Sequence, residues 1–248
     1  MNAPLLFEDD ELIAVAKPAG LAVIPERDGD PATSLRHRLE AARGEPLWVV
    51  HRIDKDTSGV VVMARSAAAH RWLNDAFAAR RVHKRYLAFA AGDLPGERTV
   101  EVAVVEARRG KARPAVAGER GKPSVTEMTA LARWSRAPVP GETAPGPSPG
   151  IVDLDTVTLL EARPLTGRHH QIRVHLRSLE APILFDPLYG KRTLRGMLDG
   201  APGARLALHA AGLEVTRPDG RRLVVEAPLA EDLVALRAWL DAKWATVA

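Results

Sequence analysis

Two polar segments of this chain hold residue types that do chemistry. Residues 49–59 read VVHRIDKDTSG and residues 163–175 read RPLTGRHHQIRVH. In the first, Asp54 follows an adjacent His-Arg pair and precedes Thr57-Ser58-Gly59. An isolated Asp before Thr-Ser-Gly is an ordinary turn, but a turn does not require a charge pair next to a strand. In the second, Arg168, His170, Gln171, Arg173 and His175 follow the Thr166-Gly167 turn. These donors could bind phosphates, or could place one arginine beside Asp54. The alternative is a solvated basic helix face. An ionised carboxylate can act as nucleophile or base. Burial raises its pKa and a nearby arginine lowers it. At 4 Å the pair is worth about 4 kcal/mol at an effective dielectric near 20.

Familiar signatures are missing. There is no G-x-G-x-x-G, P-loop or cysteine-paired H-x-E, which disfavours dinucleotide enzymes, NTPases and zinc deaminases. His169, His170 and His175 have a spacing that suits no common ligand pattern, so no metal site is expected. With no cysteines in the chain, disulfides, thiolate zinc sites and cysteine nucleophiles are excluded.

The elements around these segments are readable. Leu12–Lys17 and Val60–Ala64 are short apolar runs expected as buried strands, and the first ends in the turn of Pro18-Ala19-Gly20. Ser34 is placed to cap a helix running to about Ala42, before Gly44. Ser66 is placed to cap a second, with Ala69, Trp72, Leu73, Ala76 and Phe77 on one face. Leu47–Val50 leads into His51, and strand geometry there would put Arg52 and Asp54 on one face. Tyr86–Ala91 returns to strand. Val125–Trp134 and Val152–Glu161 alternate, and between them 137–150 holds five prolines and three glycines, read as a long hairpin loop. A helix at Ile172–Leu179, strands at Leu206–Leu213 and Leu223–Val225, and a closing helix at Asp232–Trp244 complete the pattern. Interspersed helices and adjacent strands predict an α+β fold, a large mixed, mainly antiparallel sheet with flanking helices and loops.

The 248 residues, 46% apolar and 27% charged, suit a soluble globular protein. No run of about 18 apolar residues exists to span a membrane. The first residues are acidic where a signal peptide needs positive charge, so a cytoplasmic protein is expected. The net charge of +4 is unevenly spread. Residues 106–122 contain six Lys or Arg against two Glu, and Arg80, Arg81, His83, Lys84 and Arg85 form a second cluster. Such clustering is the footprint of a polyanion binder, although a solvated face has the same composition.

Five fragments in order, HRIDKDTSG, RRVHKRYLA, RPLTGRHHQIRVHL, APILFDPLYG and LALHAAGLEV, resemble the RluA-type pseudouridine synthases. The likeness runs from LLFEDDELIAVAKPAGLAV to LVVEAPLAEDL. It implies the pseudouridine synthase fold over 1–248 as one catalytic domain, without the small N-terminal RNA-binding domain of some relatives. It also implies an enzyme that isomerises uridine in structured ribosomal or transfer RNA. Asp54 matches the family's catalytic aspartate, Tyr86 its active-site tyrosine, and Arg173 the arginine paired with the aspartate. Arg52 matches the arginine that enters the helix where the target uridine is flipped out. His51, Thr57, Arg168, His170 and Gln171 are expected to contact RNA, and Arg108, Arg109 and Lys111 to grip phosphates. Ile53 replaces a usual leucine, His169 sits at a variable position, and Phe185 replaces the usual glycine before Asp186.

The reaction breaks a carbon–nitrogen glycosidic bond and rejoins the same base through carbon. It conserves atoms, so it calls for no redox cofactor, metal or ATP. A monomer acting on RNA, with neither DNA nor membrane as partner, is the expectation. Two other readings differ in class. An RNA-binding protein of this fold without catalysis would carry a substitution at Asp54, Tyr86 or Arg173, and none is present. A hydrolase using Asp54 with His51 leaves the second segment unexplained.

Overall fold

A run of β-branched residues, SGVVVMA, makes β4 (Ser58–Ala64) the most enclosed strand, with all seven residues buried. Alternation then divides its side chains between two apolar clusters. Val60, Val62 and Ala64 join Leu12, Ala14, Leu213 and Val215 in one. Val61 and Met63 join Ile13, Val15, Leu21, Ile53 and Ala210 in the other. The computed structural model describes residues 3–25, 30–106, 111–116, 118–136, 155–190, 198, 200–203 and 205–247.

The chain divides into two units, Met1–Tyr86 with Leu208–Ala230, and Leu87–Ala207 with Glu231–Ala248, where the sequence reading counts one domain. In the first, β1 (Leu5–Glu8), β2 (Leu12–Lys17), β4 and β11 (Leu208–Thr216) lie side by side in that order. β12 (Arg222–Glu226) pairs antiparallel with β11, and β3 (Trp48–Val49) antiparallel with β4. The β11–β4 pair alone among these is parallel, in register at His209–Ser58 and Ala210–Gly59. At Gly59 the φ is +113°, and a Cβ would lie 2.1 Å from the Ala210 carbonyl oxygen. Only glycine permits this start to β4, which accounts for the last residue of the Thr-Ser-Gly triplet.

Two helices cover this unit's sheet as their caps predict. Ser34 Oγ accepts the His37 N–H at the start of α1 (Leu35–Arg43), and Gly44 closes it with φ 69°. Ser66 Oγ accepts the Ala69 N–H at the start of α2 (Ala67–Ala78), which buries Ala69, Leu73 and Ala76.

β5 (Val82–Ala91) begins in the first unit and ends in the second, starting four residues before the sequence reading. In the second unit the strand order is β5, β10 (Thr156–Pro164), β9 (Val125–Ser135), β13 (Ala245–Thr246), with β6 (Glu97–Glu101) also on β9. The β9–β10 pair is antiparallel, as a hairpin requires, while residues 137–150 and the expected strand start at Val152 lie outside the described residues. A separate ribbon pairs β7 (Val104–Glu106) with β8 (Ala112–Pro114). Two helices complete this unit. α3 (Gln171–Ser178) carries the second polar segment, and α4 (Glu231–Lys243) buries Leu233, Leu236 and Leu240 at helical spacing. The α+β class with a mixed, mainly antiparallel sheet is as expected. No described helix is long and apolar enough to cross a membrane.

Candidate active site

Asp54 stands on a loop, not on a strand. The ladder of β3 ends at Val49, and residues 50–54 have no strand pairing. The expectation that strand alternation aligns Arg52 with Asp54 is therefore corrected. What orders the segment is Ile53, buried in the cluster of Leu21, Leu47 and Val61. Arg52 is exposed and Asp54 partly so.

Three contacts fasten this loop. His51 Nε2 accepts the Val62 N–H at 2.9 Å, replacing the strand partner that β4 lacks there. Its ring also stacks on Phe77 at 5.0 Å. Burial, assisted by the Lys84 charge, holds His51 down to about 4, so it is the neutral acceptor this bond needs. The Thr57 N–H closes a turn onto the Asp54 carbonyl at 3.1 Å. The Lys17 ammonium, 1% exposed, donates to the carbonyls of Pro18, Leu21 and Lys55 at 2.7–2.8 Å. Lys17 was not singled out in the sequence, although a lysine closing an apolar strand just before a Pro-Gly turn is the available signal.

Tyr86 is partly buried against the Ile53 cluster. Burial first, and the Asp54 charge second, raise its phenol far above the ordinary range. Two conclusions follow. The Asp54 carboxylate lies close enough to act on the Tyr86 hydroxyl electrostatically, and Tyr86 is a neutral phenol at every physiological pH. Lys84, two residues earlier, is lowered to about 8 by burial.

In the second unit, α3 is no solvated basic face: Gln171 through Leu176 are all buried. Arg173, 5% exposed, donates Nε and one terminal nitrogen to Asp186 at 2.8 and 2.9 Å. Asp186 also accepts the N–H groups of Leu188 and Tyr189 at 2.9 and 3.0 Å. The sequence reading did not assign this partner. Phe185, before it, has φ 58°, a left-handed conformation that glycine adopts without strain. The Arg173 guanidinium lies over the Tyr189 ring, 5.0 Å from its centre.

The expected RNA contacts divide by accessibility. Gln171 accepts from Thr166 Oγ1 and the Arg168 N–H, and donates to the Val125 carbonyl and Thr126 Oγ1. All four of its amide hydrogen bonds are thus made within the protein. Thr57 is 1% exposed, and its hydroxyl has no partner among the described residues. His51 is partly exposed, with Nε2 on β4 and its ring on Phe77. Arg52 and Lys111 are exposed, and Arg168 and His170 partly so. Arg108 and Arg109 lie outside the described residues. The surrounding basic segment is partly neutralised within itself, through Lys122–Glu106 at 2.7 Å and Arg113–Glu119 at 2.6 Å. Among the described residues no group of His, Asp and Glu is arranged to hold a metal.

The fold is that of pseudouridylate synthase domains. Human RNA Pseudouridylate Synthase Domain Containing 1 superposes with a TM-score of 0.75 at 24% identity, over 100% of this chain and 89% of that one. A family model described as RNA pseudouridylate synthase matches residues 11–178. The chain is 37% identical to a ribosomal large subunit pseudouridine synthase D of Xanthomonas campestris, over 95% of this chain and 69% of the relative. It is 34% identical to a tRNA pseudouridine synthase C of Salmonella typhimurium, over 92% and 85% respectively. The chain belongs to the RNA pseudouridylate synthase family, whose members isomerise uridine within RNA.

Proposed function

We propose that this enzyme converts specific uridines of structured ribosomal or transfer RNA to pseudouridine, with Asp54 as the reacting carboxylate and the target base flipped from its stack. The observation that carries the reading is the placement of Asp54 on an anchored loop, next to Ile53, whose apolar cluster Tyr86 packs against. The names of the relatives, large-subunit ribosomal and transfer RNA synthases, support the two RNA classes.

The chemistry follows from these groups. The glycosidic C–N bond breaks, the uracil turns, and its C5 joins the same sugar carbon while the C5 proton leaves and N1 gains one. Whether the carboxylate attacks the sugar carbon, adds to the ring or removes a sugar proton, it must be ionised and within reach. Tyr86, held neutral, supplies a face for the uracil and a hydroxyl that is no base. Flipping costs a few kcal/mol, and stacking on an aromatic returns about 1–3 kcal/mol. Arg52, exposed two residues before Asp54, is the proposed filler of the vacated gap. Arg173, the arginine that the resemblance pairs with the aspartate, is proposed to serve the same reaction. Lys111, Arg168 and His170 are proposed to meet the RNA backbone, in the cytoplasm and with the enzyme as a monomer.

The test has two arms. Pseudouridine mapping in RNA from cells with and without the gene should reveal sites that vanish with the gene. In vitro, Asp54→Asn should lower turnover on unmodified RNA from the deleted cells by about 10³-fold or more, with RNA binding retained. Full turnover by Asp54→Asn would remove the carboxylate from the mechanism.

A further inference from the structure

Tyr189, one of only two tyrosines in the chain, meets three parts of the second unit. Its hydroxyl accepts the Ala112 N–H of β8 at 2.8 Å and shares a hydrogen bond with His170 Nδ1 at 2.9 Å. Its ring lies under the Arg173 guanidinium. Its own N–H donates to Asp186, the carboxylate that clamps Arg173. The ring also packs on Val104, Ala112 and Val174. One side chain thus touches the basic ribbon, the turn before α3 and the arginine.

Each contact answers a physical need. A two-stranded ribbon with three residues per strand is marginal by itself, and the bond to Ala112 ties it to α3. His170 sits at φ 54°, a conformation that persists only where neighbours hold it; the phenol does so. Two parallel bonds from Arg173 to Asp186 fix the guanidinium edge but allow rocking about that edge. An aromatic face beneath the cation opposes the rocking and attracts the charge.

We propose that Tyr189 is a positioning residue that sets the RNA grip and the arginine separately: its hydroxyl seats the β7–β8 ribbon, and its ring seats Arg173. The inference rests on the proposed roles of Arg173 and of the ribbon, and deepens them. It divides one side chain into two functions that kinetics can separate.

The experiment measures kcat and KM on unmodified RNA from cells lacking the gene. Tyr189→Phe keeps the ring and loses the hydroxyl. It should raise KM about two- to tenfold, the worth of one hydrogen bond, with kcat within about twofold. Tyr189→Leu also loses the aromatic face and should lower kcat in addition, about five- to thirtyfold. Equal losses in kcat and KM from Tyr189→Phe would mark a merely structural residue and overturn the inference. So would wild-type kinetics in both variants while Arg173→Lys is impaired, an outcome that leaves the role of Arg173 standing. If Arg173→Lys keeps full kcat, the reading beneath the inference fails with it. Should Tyr189→Leu not fold, the KM-against-kcat split of Tyr189→Phe decides alone.

Discussion

The acid and the arginine are held by opposite means. Asp54 sits on a loop whose course is set through the main chain: a histidine ring takes the Val62 N–H, a lysine takes three carbonyls, and Thr57 closes a turn. Arg173 sits on a helix and is set through its side chain, clamped by Asp186 over the Tyr189 ring. A loop held by its backbone can shift slightly without breaking a buried ion pair. A guanidinium held by two bonds can rock about the bonded edge but cannot leave it without breaking one. The difference suits the roles proposed above, a carboxylate that approaches a substrate and an arginine that presents a fixed charge.

The largest expected effect breaks the first arrangement. Gly59→Ala drives a Cβ to 2.1 Å from the Ala210 carbonyl at a φ of +113°. Overpacking and backbone strain together should cost about 5 kcal/mol. Urea unfolding measures it, and a loss below about 1 kcal/mol would show that the close approach of β4 and β11 does not set the loop. The second arrangement breaks with Asp186→Ala, which strands a buried guanidinium. Removing one partner of such a pair costs about 4 kcal/mol. Asp54→Asn, on a partly exposed loop, should change stability by about 1 kcal/mol or less. Equal losses from these two carboxylates would erase the contrast.

Acid titration sharpens it. His51 is neutral in the fold, with its pKa depressed to about 4 from 6.5. Between those values the unfolded chain binds a proton that the folded chain refuses, so stability rises with pH across this window and is lost as pH falls from 6.5 towards 4. The contribution is about 3 kcal/mol. His175 on α3 is also lowered by burial and acts in the same direction. Unfolding free energies at pH 4, 5, 6 and 7 should fall steadily with acid. In His51→Gln, whose amide oxygen can accept the Val62 N–H, the slope should be shallower by the share that His51 contributes.

Parts of this molecule are legible in the sequence because local physics dictates them. Ser34 with Gly44, and Ser66 with its apolar stripe, mark α1 and α2 directly, and the runs LIAVAK and VVVMA can only be buried strands. β6, with sequence ERTVE, and the three-residue strands of the ribbon carry no periodic signal, since pairing alone makes them strands. Around Asp54, period-two reasoning fails because the ladder has already ended at Val49. The polar residues of the two motifs mislead in a similar way. Type and spacing do not distinguish Gln171, whose four bonds all close on protein, from Arg168, which remains partly exposed. Lys17, Asp186 and Tyr189 escape notice because their roles depend on groups that folding alone brings near.

The smallest expected effect tests a positive φ in each region. At position 59 of the first unit it falls on glycine, whereas in the second unit Phe185 holds φ 58°. An L-residue in that region costs about 1–2 kcal/mol, so the loop presenting Asp186 and Tyr189 is strained. Comparing Phe185→Gly with Phe185→Ala isolates this strain, because both lose the ring and only glycine relaxes the backbone. Glycine also adds freedom to the unfolded chain, which opposes its advantage. The balance should leave Phe185→Gly more stable than Phe185→Ala by about 1 kcal/mol. Equal unfolding midpoints would mean that the bend is not retained once the ring is gone, and that Phe185 itself, packed as it is, holds the loop that orients the arginine.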